Sequence, residues 1–184
     1  MPTGCSMLRS AAAIATILLA ATSATMDGAV AADRDHAFFR SLAGEWSGPG
    51  EIVAGKYKGT KFVCNFTGEA PGSRVGVTLD GSCRVGVFSQ KMQASIEKRG
   101  RGYRGKFLDG AEGKGLDVVS GNVDGERVVL SLVRNKLRGA MLARLSGKDA
   151  MNVTVSVKVD KEMVPVIGIS LKRTDTATTG SIKR

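Results

Sequence analysis

The sequence of 184 residues contains one histidine, His36, and that count limits its chemistry. A Ser-His-Asp system needs a histidine fixed between a nucleophile and an acid, and nothing in "RDHAFF" supplies that setting. A zinc site built on several histidines is excluded by number, so His36 reads as a partly exposed helix residue. The carboxylates Glu45, Glu51, Glu69, Asp80, Glu97 and Asp109 are scattered singly. Glycoside hydrolysis needs an acid and a base flanking one bond, and no local spacing brings two together. "GAEGKGLD", Gly110 to Asp117, has glycines and a lysine without the phosphate-loop spacing, and it precedes a strand pattern; it reads as a turn. No catalytic residue, metal site or cofactor is expected, and the chain reads as a non-enzyme.

Charge is the more informative chemistry. The formal net charge is +10 at pH 7, which suits anionic polymers, lipid head groups or plain solubility. "EKRGRGYRGK" gathers Lys98, Arg99, Arg101, Arg104 and Lys106 in one hairpin, with Tyr103 among them. "VRNKLRG" adds Arg134, Lys136 and Arg138 at another turn. If both turns share one mouth of a barrel, they form a positive rim for the phosphates of an anionic lipid, lipopolysaccharide or an envelope glycan. The bland alternative is a pair of solvated hairpins whose charges oppose aggregation. Aromatic residues make up only 5% of the chain, too few for the stacking platforms that single-stranded nucleic acid uses.

The N-terminus gives the compartment. Arg9 precedes an apolar run, Ala11 to Ala21, of secretory length and too short to span a bilayer. Val30 and Ala32 then fit the −3 and −1 positions of a cleavage site, so residues 1–32 read as a signal peptide and the mature protein as periplasmic. Cys5 lies before the apolar run and no cysteine marks the cut, which argues against lipidation. Two cysteines survive, Cys64 and Cys83, and an even pair in an exported chain reads as one disulfide. A metal reading of the pair is weak without histidines nearby.

Residues 33–174 read as one domain. "DRDHAFFRSLA", residues 33–43, carries apolar residues at Ala37, Phe38, Leu42 and Ala43, a short helix ended by Gly44. After it come only strand and turn patterns. "VTVSVKVD" sets Val153, Val155, Val157 and Val159 against Thr154, Ser156, Lys158 and Asp160, a period of two. Asp124-Gly125 is the strongest hairpin signal. Asp80-Gly81 is either a second tight turn or the middle of one long bent strand. About eight to ten strands joined by short turns close most simply into an antiparallel up-and-down β-barrel, with a sandwich as the alternative. The polar tail, residues 175–184, reads as flexible.

The opening "LAGEWSGPGEI" places Gly44, Trp46, Gly48 and Gly50 at the start of the first strand. It resembles the start of calycin barrels, the lipocalins and more closely the nitrobindin-like group, in which tryptophan closes one barrel end beside an N-terminal helix. That resemblance implies a calycin-like fold with these four residues as scaffold. The nitrobindin-like group holds haem iron through a histidine near the chain end, and "PVIGISLKRTD" has none. The order of leader, "LAGEWSGPG", "FVCNF", "GSCRV" and "VTVSVKV" is also similar to small exported alphaproteobacterial proteins of unknown activity, with a bridge that would join Cys64 to Cys83. A looser likeness to periplasmic inhibitors of metalloproteases makes "DRDHAFF" a segment for a protease cleft. The expected function is a non-enzymatic envelope protein, monomeric and not membrane-spanning, that binds an anionic or lipid-like ligand or supports the envelope. The alternative is an inhibitor or partner-binding module for another exported protein.

Overall fold

A computed structural model describes residues 26–108 and 115–174, with side chains from residue 32 onward. Helix α1 spans Met26–Arg40 and is followed by ten strands: β1 (Gly44–Ile52), β2 (Lys61–Glu69), β3 (Gly76–Val85), β4 (Phe88–Arg99) and β5 (Gly102–Leu108), then β6 (Leu116–Asp124), β7 (Arg127–Arg134), β8 (Leu137–Ser146), β9 (Ala150–Val159) and β10 (Glu162–Arg173). The helix starts seven residues earlier than the sequence pattern predicts and stops three residues sooner. Its anchoring side chains, Asp35, Phe38 and Phe39, all lie beyond the expected cut after Ala32. Gly44 then takes φ 110° and turns the chain into β1, a backbone region that side chains with a Cβ avoid.

Each strand pairs antiparallel with the next in sequence, and β10 returns to β1, so the sheet is a closed barrel. Closure decides against the sandwich. Trp46 pairs with Arg173 and Ile52 with Ile167 along the closing seam. Asp80-Gly81 is not a turn: β3 runs unbroken through it, and its hairpin comes at Gly86-Val87. Pro165 sits beside a register shift in β10, where a missing N–H costs no regular ladder bond. Gly48 marks a close approach of backbones, since a Cβ there would overlap the carbonyl oxygen of Ser170 on β10.

The pleat separates two environments. Inward positions such as Val77, Val118, Leu130, Leu132 and Leu145 are buried and apolar. Outward positions are mostly polar: Asn65, Thr67 and Glu69 on β2, or Lys91, Gln93, Ser95 and Glu97 on β4. This is the reverse of a transmembrane barrel, whose outer face is an apolar band. Among the described residues, no helix is long and apolar enough to cross a membrane.

Cys64 and Cys83 are directly opposed on β2 and β3 and form a disulfide across a sequence separation of 19. Cys64 is wholly buried, so the bridge lies in the inner wall of the barrel. A loop of this size stabilises the native state by roughly 3 kcal/mol through the entropy of the unfolded chain. The double variant Cys64→Ala/Cys83→Ala is therefore expected to lose about 3 kcal/mol in urea unfolding. Dithiothreitol should lower the stability of the parent protein by a similar amount and leave the variant unchanged.

Candidate functional site

In a meander the connections alternate between the two ends of the barrel. The helix end carries the connections β2–β3, β4–β5, β6–β7 and β8–β9, and the opposite end carries β1–β2, β3–β4, β5–β6, β7–β8 and β9–β10. The two ends are built differently.

The helix end is plugged. Phe38, Phe39, Leu42 and Trp46 join the buried core there, with the Phe39 and Tyr103 rings 5.1 Å apart between centroids. Trp46 donates its indole N–H to the Leu42 carbonyl at 3.0 Å, which satisfies the one polar atom of a ring that is 1% exposed. Asp35 is the one charged residue buried among the described ones. Its Oδ2 accepts from the Tyr103 hydroxyl at 2.7 Å and from Lys98 Nζ at 2.8 Å. A carboxylate removed from water needs such donors, and here they tie α1 to β4 and β5. Burial, and then the hydrogen bond to Asp35 and its charge, push the Tyr103 phenol well above its ordinary pKa. Arg173 closes the other side: its Nη2 donates to the Ser41 carbonyl at 2.7 Å, and its guanidinium lies 4.3 Å from the Trp46 ring centroid.

The opposite end is open. Along β9, Met151 is buried, Val153, Val155 and Val157 are half-buried, and Val159 is 50% exposed. On β8 the series runs from buried Leu145 and Ala143 through half-buried Met141 to exposed Leu137, and on β3 from buried Val77 through Leu79 and Cys83 to exposed Val85. These positions share one inward face, so the lower lumen is filled with side chains while the upper lumen admits solvent. Its wall is apolar, with Phe62, Met141, Val153 and Val155 packed on the core yet incompletely covered. Arg134 has the inward parity of Leu130 and Leu132 and brings a guanidinium to the mouth. The β5–β6 connection belongs to this end, and residues 109–114, including most of the expected "GAEGKG" turn, lie outside the described residues.

The single positive rim expected from the sequence does not form. Lys98, Arg99, Arg101, Arg104 and Lys106 belong to the β4–β5 hairpin at the helix end, whereas Arg134, Lys136 and Arg138 flank the β7–β8 turn at the open end. Three strands, β5, β6 and β7, run between the two turns, and an odd number of passages along the barrel fixes them on opposite ends. Several members of the first group are also engaged. Lys98 is bound to Asp35, Arg99 Nε donates to Glu97 at 2.8 Å, and Arg104 donates to the Val119 carbonyl, which a register shift in β6 takes out of the ladder. Of the opening residues, Gly44, Trp46, Gly48 and Gly50 run along β1 from the plugged end into the lumen wall. His36 is partly exposed on α1, and its Nε2 is buried without a hydrogen-bond partner.

Sequence reasoning gave no site role to Asp35, Tyr103 or Arg173. Their signal was faint: an aspartate just before two phenylalanines, and a tyrosine alone among arginines. A second concavity of about 890 Å³ lies between α1 and the β6–β7 and β8–β9 turns, with Phe38, Leu145, Arg34 and Lys148 in its lining. It is a surface groove beside the plug.

No family model and no curated protein matches the chain. Among solved structures it is similar to Rv2717c from M. tuberculosis, with a TM-score of 0.56 and 12% identity over 76% of this chain and 97% of that one. A likeness at that identity concerns the barrel fold alone.

The buried Tyr103–Asp35 pair has a signature in pH. Because the folded-state pKa of Tyr103 is raised above its ordinary 10.0, its contribution to stability is fully present below pH 10.0 and is lost as pH climbs toward the folded value. Tyr103→Phe should cost about 1–3 kcal/mol at pH 8, because Asp35 loses a donor. The variant should also flatten the fall of stability above pH 10.0 in urea titrations, and an unchanged alkaline slope would refute the pairing.

Proposed function

We propose that this protein is a non-enzymatic, periplasmic carrier barrel that takes an anionic, lipid-like molecule into its upper lumen. The observation that carries the reading is the run of inward apolar side chains left incompletely covered below a cationic mouth. An apolar chain there would cover Phe62, Met141, Val153 and Val155, and the water it displaces favours binding by about 25 cal/mol per Å² of apolar surface covered. The acidic group would remain at the mouth, where Arg134 can meet it, with Lys136 and Arg138 adding to the field. A disulfide-bonded barrel with a polar outer face is compatible with an exported protein. The inhibitor alternative has less support, since it needs the segment "DRDHAFF" free to enter a cleft. Here Asp35, Phe38 and Phe39 of that segment are buried in the plug.

Native mass spectrometry of the protein purified from its own periplasm should show added mass of lipid size. In solution, cis-parinaric acid should bind and fluoresce, and Val155→Trp, which fills the lumen, should weaken that binding at least tenfold. Arg134→Gln should weaken the acid by about tenfold, as loss of a charge-assisted hydrogen bond implies, and leave the corresponding alcohol unchanged. A bare mass together with no effect of Val155→Trp would refute the carrier.

A further inference from the structure

Large apolar side chains exposed to solvent are unevenly placed on this barrel. Among the described residues there are twelve, and nine of them sit on or beside the connections of the open end. The most exposed are Val87 at 89%, Phe88 at 79%, Tyr57 at 62% and Leu137 at 61%. They project from three separate connections, β1–β2, β3–β4 and β7–β8. The connections of the helix end, residues 70–75, 100–101, 125–126 and 147–149, carry no such residue. Turn tips are ordinarily polar, and exposed apolar groups concentrated on one end of a molecule mark an interaction surface.

Cations stand between these tips. Lys56 and Lys58 flank Tyr57, Lys136 precedes Leu137, and Lys158 and Lys161 enclose the β9–β10 turn. The carboxylates described at this end are Glu51, Asp117, Asp160 and Glu162, fewer than the lysines and arginines there, so positive charge prevails. A second copy of this chain would bring the same charge to the contact and be repelled. The most exposed apolar groups are spread over three connections around the open end, whereas a protein partner needs a closely packed apolar centre. A fluid surface that takes each tip separately, with anions at the level of the cations, meets both conditions.

We infer that the open end of the barrel docks face-on to an anionic lipid bilayer, the tips of Tyr57, Val87, Phe88 and Leu137 entering the boundary between head groups and acyl chains and the neighbouring lysines meeting lipid phosphates. The arrangement is that of interfacial anchors, apolar and aromatic groups at the membrane surface with basic residues among them. It goes beyond the carrier reading and does not depend on it, because docking needs no ligand in the lumen. If both hold, the mouth of the lumen faces the membrane.

The test is flotation of the processed protein with vesicles of phosphatidylglycerol and phosphatidylcholine, against vesicles of phosphatidylcholine alone, with no lumen ligand added. Binding should need the anionic lipid. Tyr57→Ser/Val87→Ser should weaken it at least tenfold. Lys136→Glu/Lys161→Glu should do the same, whereas Arg101→Glu/Lys148→Glu, an equal change of charge at the helix end, should alter it no more than twofold. In Val87→Trp, brominated lipids should quench the introduced indole. Equal losses from the two charge variants, or no quenching of Trp at position 87, would overturn the proposal and leave only attraction by net charge. A dimer in sedimentation velocity that Tyr57→Ser/Val87→Ser dissolves would overturn it in favour of self-association. Vesicle binding lost while cis-parinaric acid still binds would sink the docking alone, and the reverse would sink the carrier alone.

Discussion

Closure of the sheet is the constraint on which the rest of the structure depends. β1 is paired on one side with β2 and on the other with β10, so no strand is left with an unpaired edge. Once the ring is closed, alternate residues have one interior in common, and ten short strands that individually bury little combine into one core. Closure also demands tight coiling, which the small residues of the opening strand permit. Gly48 lies so near β10 that any side chain would displace the Ser170 carbonyl. Arg173 then fixes the seam from the far end of the sequence through the Trp46 ring and the Ser41 carbonyl.

A closed barrel has two ends, and this chain treats them as opposites. One is sealed by an amphipathic segment whose polar atoms are individually matched: the Trp46 indole with Leu42, and the Asp35 carboxylate with Tyr103 and Lys98. A buried carboxylate held in this way contributes less to net stability than to position, since its desolvation offsets much of what the contacts return. It gives α1 one seat on the barrel. The other end keeps apolar walls partly wet and apolar tips exposed, which a domain built for stability alone would cover. The proposed cargo and the proposed membrane contact both arise from this asymmetry, the first from the inner face of the strands and the second from their turns.

Much of this was legible in the sequence, and for physical reasons. The period of two in "VTVSVKVD", the Asp124-Gly125 turn and the run of short strands announce a meander because alternation and turn chemistry are local properties. The Cys64–Cys83 bridge follows from the two cysteines that remain when Cys5 is read as part of the leader. Asp80-Gly81 marks where local reading ends. The dipeptide suits a tight turn, yet here it lies within β3, because pairing on both sides outweighs a local preference. The basic residues were found, but not their partition. Lys98 and Lys136 look alike as members of basic runs, and one is seated on a buried aspartate while the other is exposed at the opposite end.

By itself, then, the sequence determined the class of fold, the pairing of Cys64 with Cys83 once Cys5 is assigned to the leader, and a strongly positive charge, since composition and short-range periodicity carry those properties without reference to any distant residue. Tertiary structure alone decided that the sheet closes, that Asp35 meets Tyr103 across 68 positions of chain, and that the two basic turns face opposite ways. It also decided which turns share an end, and so gathered Tyr57, Val87 and Leu137 around one mouth. Each of these is a relation between residues far apart in sequence, set by the number of reversals between them and by the ring that holds them, and neither is written in any single stretch of the chain.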